Sequence, residues 1–341
     1  MVDIDVSDQK IVTAIQDLVE VCGGQKDTFE GELITQQIQT SLRLLTEGHN
    51  TGQLKLITRA LKEMRYAYRI FNEYPSTHRI SIFGSARTPE DHPDYLAAEQ
   101  FSRSLATNGW MSITGAADGI MKAGMAGTSP DSSFGLSIRL PFEEPSNRII
   151  EGDPKLIYFR YFFTRKLMFM SHSDAIAVFP GGFGTLDELF EMLTLMQTGK
   201  GNIIPVVLME GPNGVYWHHW ENYVEKNLLD NGWISPEDIG LFYIAPTIEE
   251  GVKHILQFYR RYHSSRYVRE DFVIRMLSPL TEKQVEFLNQ KFSPLVQKGS
   301  MRLSAALPGE DDFLELPRLV FHHTRKDLGL VRVLIDEINR F

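Results

Sequence analysis

From residue 79 to residue 244 the chain alternates short apolar runs with segments of helical spacing. The runs are Arg79 to Phe83, Met111 to Thr114, Phe134 to Ile138, Leu156 to Phe159, Ala175 to Phe179, Ile203 to Leu208 and Leu241 to Ile244. A strand with one wet face alternates polar and apolar residues. Ala175-Ile-Ala-Val-Phe179 is apolar throughout, as a strand covered by helices on both faces should be. Strands of this kind, with helices between most of them, predict an α/β fold built on a doubly wound parallel sheet.

The texture differs on either side. Upstream, apolar residues recur at intervals of three and four: Ile11, Ile15, Leu18 and Val19, then Ile34, Ile38, Leu42 and Leu45, then Leu54, Ile57, Leu61, Met64, Tyr68 and Phe71. Three helices are expected, broken at Gly23-Gly24 and at Glu47 to Gly52. Downstream of about residue 264, strands are expected at Asp271 to Met276, Met301 to Leu307 and Leu316 to His323, with helices at Thr281 to Phe292 and Asp327 to Phe341. The expected division is a helical N-terminal extension at 1–75, a parallel-sheet α/β domain at 76–263 and a small α+β appendage, β-α-β-β-α, at 264–341.

A net charge of −9 argues against a nucleic-acid partner, because neutralising a phosphate backbone takes clustered Lys and Arg. A free nucleotide needs only a local site. Cys22, the one cysteine, rules out an internal disulfide or a cysteine zinc site. The N-terminal residues carry no basic region followed by an apolar run, and no stretch approaches the roughly 20 apolar residues that span a bilayer. A soluble, cytoplasmic protein without a membrane partner is expected. His218-His219 and His322-His323 are adjacent pairs whose side chains diverge on a helix or strand, so no metal site is expected of them.

Ligands of open parallel sheets bind beyond the carboxyl ends of the strands, and three of those loops are glycine-rich: Phe83-Gly-Ser-Ala-Arg87, Thr114-Gly-Ala-Ala-Asp-Gly-Ile-Met121 and Pro180-Gly-Gly-Phe-Gly-Thr185. The first lacks the G-x-G-x-x-G spacing, and no G-x-x-x-x-G-K-[ST] loop is present. In the third, Gly181, Gly182 and Gly184 remove side chains where backbone amides approach a ligand, and a helix starting near Thr185 points its positive end there. Glu188 follows about a turn later. The same residues also suit a tight strand-to-helix turn with Thr185 as N-cap and Glu188 complementing the helix dipole. Both readings stand on these residues alone.

Pro180-Gly-Gly-x-Gly-Thr-x-x-Glu188, with Arg165-Lys-x-x-Met168 upstream, resembles the LOG family of nucleoside 5′-monophosphate phosphoribohydrolases, often mislabelled lysine decarboxylases. The resemblance runs from about Ile80 to His254 and includes Phe83-Gly-Ser, Thr114-Gly-Ala-Ala-Asp-Gly-Ile-Met and Ser137-Ile-Arg-Leu-Pro-Phe-Glu-Glu. It implies a Rossmann-like fold, a homodimer or larger homo-oligomer, and a catalytic pair at Arg165 and Glu188. It also implies a 5′-phosphate site at Gly181, Gly182, Gly184 and Thr185, with Gly84, Ser85, Thr114 and Gly115 as further substrate-binding residues. Glu143 or Glu144 is a candidate for an assisting acid.

The implied reaction, hydrolysis of the base–ribose bond, requires no metal or cofactor. Lys166 invites a Schiff base with pyridoxal phosphate, but nothing else in the sequence suggests a site for its ring. The aromatic run Tyr158-Phe-Arg-Tyr-Phe-Phe163 could stack a base, but core packing is the default reading for it and no role is assigned. The competing reading is a binding or carrier protein for a phosphorylated cofactor, such as the molybdenum cofactor. A third gives the two extensions a regulatory role.

Overall fold

A computed structural model describes residues 6–75, 77–139 and 146–341. The chain divides into two compact units, Met1–Tyr66 and Ala67–Phe341. The smaller holds α1 (Gln9–Val21), α2 (Phe29–Arg43) and most of α3 (Thr51–Phe71). Their starts are fixed by capping side chains: Asp8 accepts from the Lys10 amide, Thr28 from Gly31, and Asn50 from Gln53. The three expected helices and both breaks are present.

The larger unit contains a seven-stranded sheet of β1 (Arg79–Phe83), β2 (Met111–Thr114), β3 (Ser133–Ile138), β4 (Leu156–Phe159), β5 (Ala175–Val178), β6 (Val206–Leu208) and β7 (Tyr243–Ile244). Every pairing is parallel, in the order β4-β3-β2-β1-β5-β6-β7. Ile80, Ile82, Ile113, Phe134, Leu136 and Ala175 to Val178 are all fully buried, as the unbroken apolar runs require. On one face α4 (Pro93–Ala106) and α9 (Ile248–Phe258) bring Phe101, Leu105 and Ile255 onto Ile80, Ile82, Ala175, Ala177 and Val207. The fold is the doubly wound, Rossmann-like α/β sheet that the sequence predicts.

Strand order places the functional crevice. From β1 the chain winds through β2, β3 and β4 to one edge, then returns to β5 beside β1 and winds the other way. At this switch the loops after β1 and β5 part to opposite sides and leave an opening. Two backbone bonds fix its floor: Phe179 donates to the Phe83 carbonyl at 2.8 Å, and Ser85 to that of Pro180 at 3.0 Å.

The C-terminal appendage is an antiparallel sheet of β8 (Tyr262–Val268), β9 (Asp271–Met276), β10 (Val296–Ser304) and β11 (Arg318–His323), in the order β10-β11-β9-β8. With α10 (Glu282–Lys291) and α11 (Leu328–Arg340) it reads β-β-α-β-β-α. This corrects the β-α-β-β-α expectation. The missed strand, Tyr-His-Ser-Ser-Arg-Tyr-Val, lies at a sheet edge and is only partly buried, so it lacks a strong apolar signal. β10 starts earlier than expected, at Val296, because its exposed first half pairs with β11 through Val296 and Lys298 with an irregular register and no apolar signal. The appendage core runs from Phe272, Ile274, Leu319, Phe321 and the α11 residues Val331, Leu334 and Ile335 to Phe258 and Ile203 of the parallel-sheet segment. That continuity explains why both belong to one unit.

Candidate active site

Three loops converge at the switch between β1 and β5 on a cleft of about 560 Å³, within the usual size range of small-molecule sites. Gly84, Ser85, Gly115, Arg165, Gly182, Gly184, Thr185 and Glu188 line it. The sequence names each of these. Thr114 and Gly181 lie behind the lining. Thr114 is fully buried, and its hydroxyl accepts from the Ala116 amide at 3.1 Å, bracing the β2 loop. The Gly181 carbonyl accepts from the Tyr216 hydroxyl at 2.7 Å. Glu143 and Glu144 lie outside the described residues.

The glycines are explained by what a side chain would meet. A Cβ at Gly84 would lie 2.6 Å from the Ile120 side chain, at the start of α5 (Ile120–Ala126). At Gly115 it would lie 2.6 Å from Met121 Sδ, so the bare backbone makes room for that side chain, with Arg165 Nη1 at contact distance, 3.7 Å. At Gly181 it would come within 2.1 Å of Thr185 Oγ1. Above Gly182 and Gly184 the space is open, which allows a ligand to approach the backbone itself.

Helix α7 (Phe183–Gln197) begins earlier than expected, with Gly182 rather than Thr185 at its N-cap. No side chain caps it. The Thr185 and Leu186 amides turn back to the Gly182 carbonyl, while the first turn presents its positive end at the cleft, an arrangement suited to an anion. Thr185 is buried at the third helical position, against Gly181. The alternative of a capped structural turn therefore lacks its cap.

Facing this helix is α6 (Phe162–His172), which carries Arg165 and Lys166. The Arg165 guanidinium stacks 5.2 Å from the Phe162 ring centre and 5.7 Å from that of Phe169. Lys166 Nζ lies 2.8 Å from an Asp187 carboxylate oxygen and 3.2 Å from Glu188 Oε2. Glu188 is only 5% exposed, and no donor is aligned on Oε2 for a hydrogen bond. Burial raises its carboxyl above the ordinary range against the pull of Lys166 and Arg165. Burial also disfavours the Lys166 ammonium, but Asp187 and Glu188 outweigh it and hold that group above its usual value.

Several lining residues escaped the sequence reading: Arg87, Met121, Phe162, Phe183 and Asp187. Phe162 belongs to the aromatic run whose default reading is core packing, and that reading needs correcting. Phe159 is buried, whereas Tyr158, Phe162 and Phe163 are exposed, because the run crosses from a buried strand onto the first turn of α6. Phe183, 95% exposed at the cleft, was a visible non-glycine in the third loop. Among the described residues no group of His, Cys, Asp and Glu is arranged to hold a metal, and no helix is long and apolar enough to cross a membrane.

Residues 113–255 match the model of a family described as "Possible lysine decarboxylase". Cytokinin riboside 5'-monophosphate phosphoribohydrolase LOG3 of Arabidopsis thaliana is 35% identical over 94 residues, 28% of this chain and 42% of the relative. The enzyme with the same activity name from Mycobacterium tuberculosis is 31% identical over 91 residues, 26% of this chain and 46% of the relative. The match thus spans less than half the length of either relative. Among solved structures, the molybdenum cofactor carrier protein of Chlamydomonas reinhardtii is similar at 19% identity and a TM-score of 0.38, over 53% of this chain and 97% of that one.

Proposed function

We propose, for a chain that carries a domain of the LOG family, that it hydrolyses the N-glycosidic bond of a nucleoside 5′-monophosphate to free base and ribose 5-phosphate. One observation supports this most directly: an uncapped, glycine-flanked helix start and a buried carboxylate, Glu188, occupy the same wall of one cleft. Five residues separate Phe183 from Glu188 along α7, a rise of about 7–8 Å. A phosphate at the helix start therefore brings its ribose alongside Glu188.

In this reading the α7 amides, Gly182, Gly184 and Thr185 hold the phosphate, with Ser85 beside the glycine loop. The transition state carries positive charge at the anomeric carbon. The Glu188 carboxylate stabilises that charge and orients the water that adds there. Arg165 stays protonated and acts as a clamp on the substrate or the departing base, not as an acid. Phe162 and Phe183 offer faces against which a base can stack. Lys166 has the wrong state for imine chemistry, since its ammonium is stabilised by two carboxylates. We further propose that residues 76–263 form the catalytic segment and that the active protein is a homo-oligomer.

The test is to incubate the protein with AMP, GMP, CMP, UMP and an N6-prenylated AMP and to separate released base chromatographically. Base release from any of them is expected. Binding without release would replace this reading with that of a carrier for a phosphorylated ligand. The remote phosphate grip makes a second prediction: the matching nucleoside is turned over at least about a hundredfold less efficiently, because binding energy at the phosphate serves to position the sugar. A third concerns the loop. Gly181→Ala drives a methyl group into Thr185 and is expected to raise KM about tenfold or more, with the melting temperature showing that the fold survives.

A further inference from the structure

Lys166 occupies an electrostatically awkward place. Its Nζ reaches the N-terminal half of α7, the positive end of the helix dipole, and donates to the Asp187 carbonyl at 3.3 Å as well as pairing with two side chains. A cation there is disfavoured by the helix and by burial, since the side chain is only 17% exposed. Surface ion pairs contribute little to stability, and Asp187, 66% exposed, can solvate itself without Lys166. The partner that gains from the ammonium is buried Glu188.

We infer that Lys166 is a positioning residue: its ammonium, 3.2 Å from the buried Oε2, keeps the Glu188 carboxylate charged and fixed against the cleft wall. The inference deepens the proposed reaction and rests on that reading for its catalytic meaning. Adjacent positions on α6 divide the work: Arg165 stacks over Phe162 in the cleft, and Lys166 reaches across to α7. The charged groups acting on Glu188 are Arg165 and Lys166 from α6 and Asp187 from its own helix, and Arg87 from the loop after β1 lines the same cleft. Arg165 pulls in the same direction as Lys166, whereas Asp187 opposes both. Without Lys166, burial and Asp187 act on Glu188 with Arg165 as the counterweight.

The experiment compares wild type, Lys166→Met and Lys166→Arg by carbon NMR of side-chain-labelled glutamate, with the Glu188 resonance identified by its absence from Glu188→Gln. Its titration midpoint is expected to move up by at least about one pH unit in Lys166→Met, a tenfold change in the ionisation constant, and to return toward wild type in Lys166→Arg. The acidic limb of kcat/KM moves in parallel. An unmoved midpoint in a folded Lys166→Met protein overturns the inference, as does an activity loss equal at all pH values. If the midpoint moves but even wild type releases no base from any nucleotide, the ion pair stands and the phosphoribohydrolase reading falls.

Discussion

Glu188→Gln is expected to lower kcat by about 10²–10⁴-fold while leaving nucleotide affinity within a few-fold of wild type. The amide keeps the shape and much of the hydrogen-bonding capacity of the carboxylate, but it can neither offset a positive anomeric carbon nor accept a proton from water. The proposed phosphate grip uses other residues at the start of α7, so affinity should be spared. Single-turnover base release separates chemistry from binding, and equilibrium dialysis measures the affinity. Unchanged turnover would remove Glu188 from the mechanism.

The pH dependence follows with a defined sign. Burial holds the Glu188 carboxyl above its ordinary value, so the active carboxylate is lost as pH falls through that raised value. The wild-type acidic limb therefore lies above that of an ordinary glutamate, and Glu188→Gln flattens it. Residual Glu188→Gln activity that retained the same limb would assign it to another group.

How far the site was legible depended on the physical source of each signal. Unbroken apolar runs such as Ala175 to Phe179 gave the parallel sheet, because double-sided burial leaves no position for a polar residue. The glycines marked the cleft: at 84, 115 and 181 a Cβ would collide with a neighbour, while at 182 and 184 the bare backbone stands open to the cleft. Phe162 and Phe183 were hidden for the opposite reason. An aromatic side chain reads as core in sequence, and only the start of a helix at the cleft leaves it exposed. The coupling of Lys166 to Glu188 lies across two helices more than twenty residues apart, where no local pattern carries it. β8 escaped because an edge strand can be polar and still pair through its backbone.

A second large effect is expected in the appendage, where the Glu310 side chain is shielded from solvent between the buried Arg275 and Arg318. Its carboxylate accepts from Arg275 at 2.8 and 3.1 Å, from Arg318 at 2.9 Å and from the Leu307 amide at 2.9 Å. Glu310→Ala leaves Arg275 and Arg318 without their shared counter-ion inside the protein and is expected to destabilise it by about 3–5 kcal/mol. Urea unfolding measures this directly. Replacing all three members by apolar residues, Glu310→Leu with Arg275→Met and Arg318→Met, should recover most of the loss, since removing the whole network also removes its desolvation penalty. Burial alone would raise this carboxyl, but the bonds from Arg318, Leu307 and Arg275 prevail and hold it down to about 2. A carboxyl depressed in the folded state contributes its full stability above the unfolded value near 4.5 and loses it as pH falls from there toward 2. Wild type should therefore lose stability over this window more steeply than Glu310→Ala, and the two unfolding curves should converge toward its acid end. Parallel curves across the window would show that the network contributes no pH-dependent stability and that the arginines are held by something else.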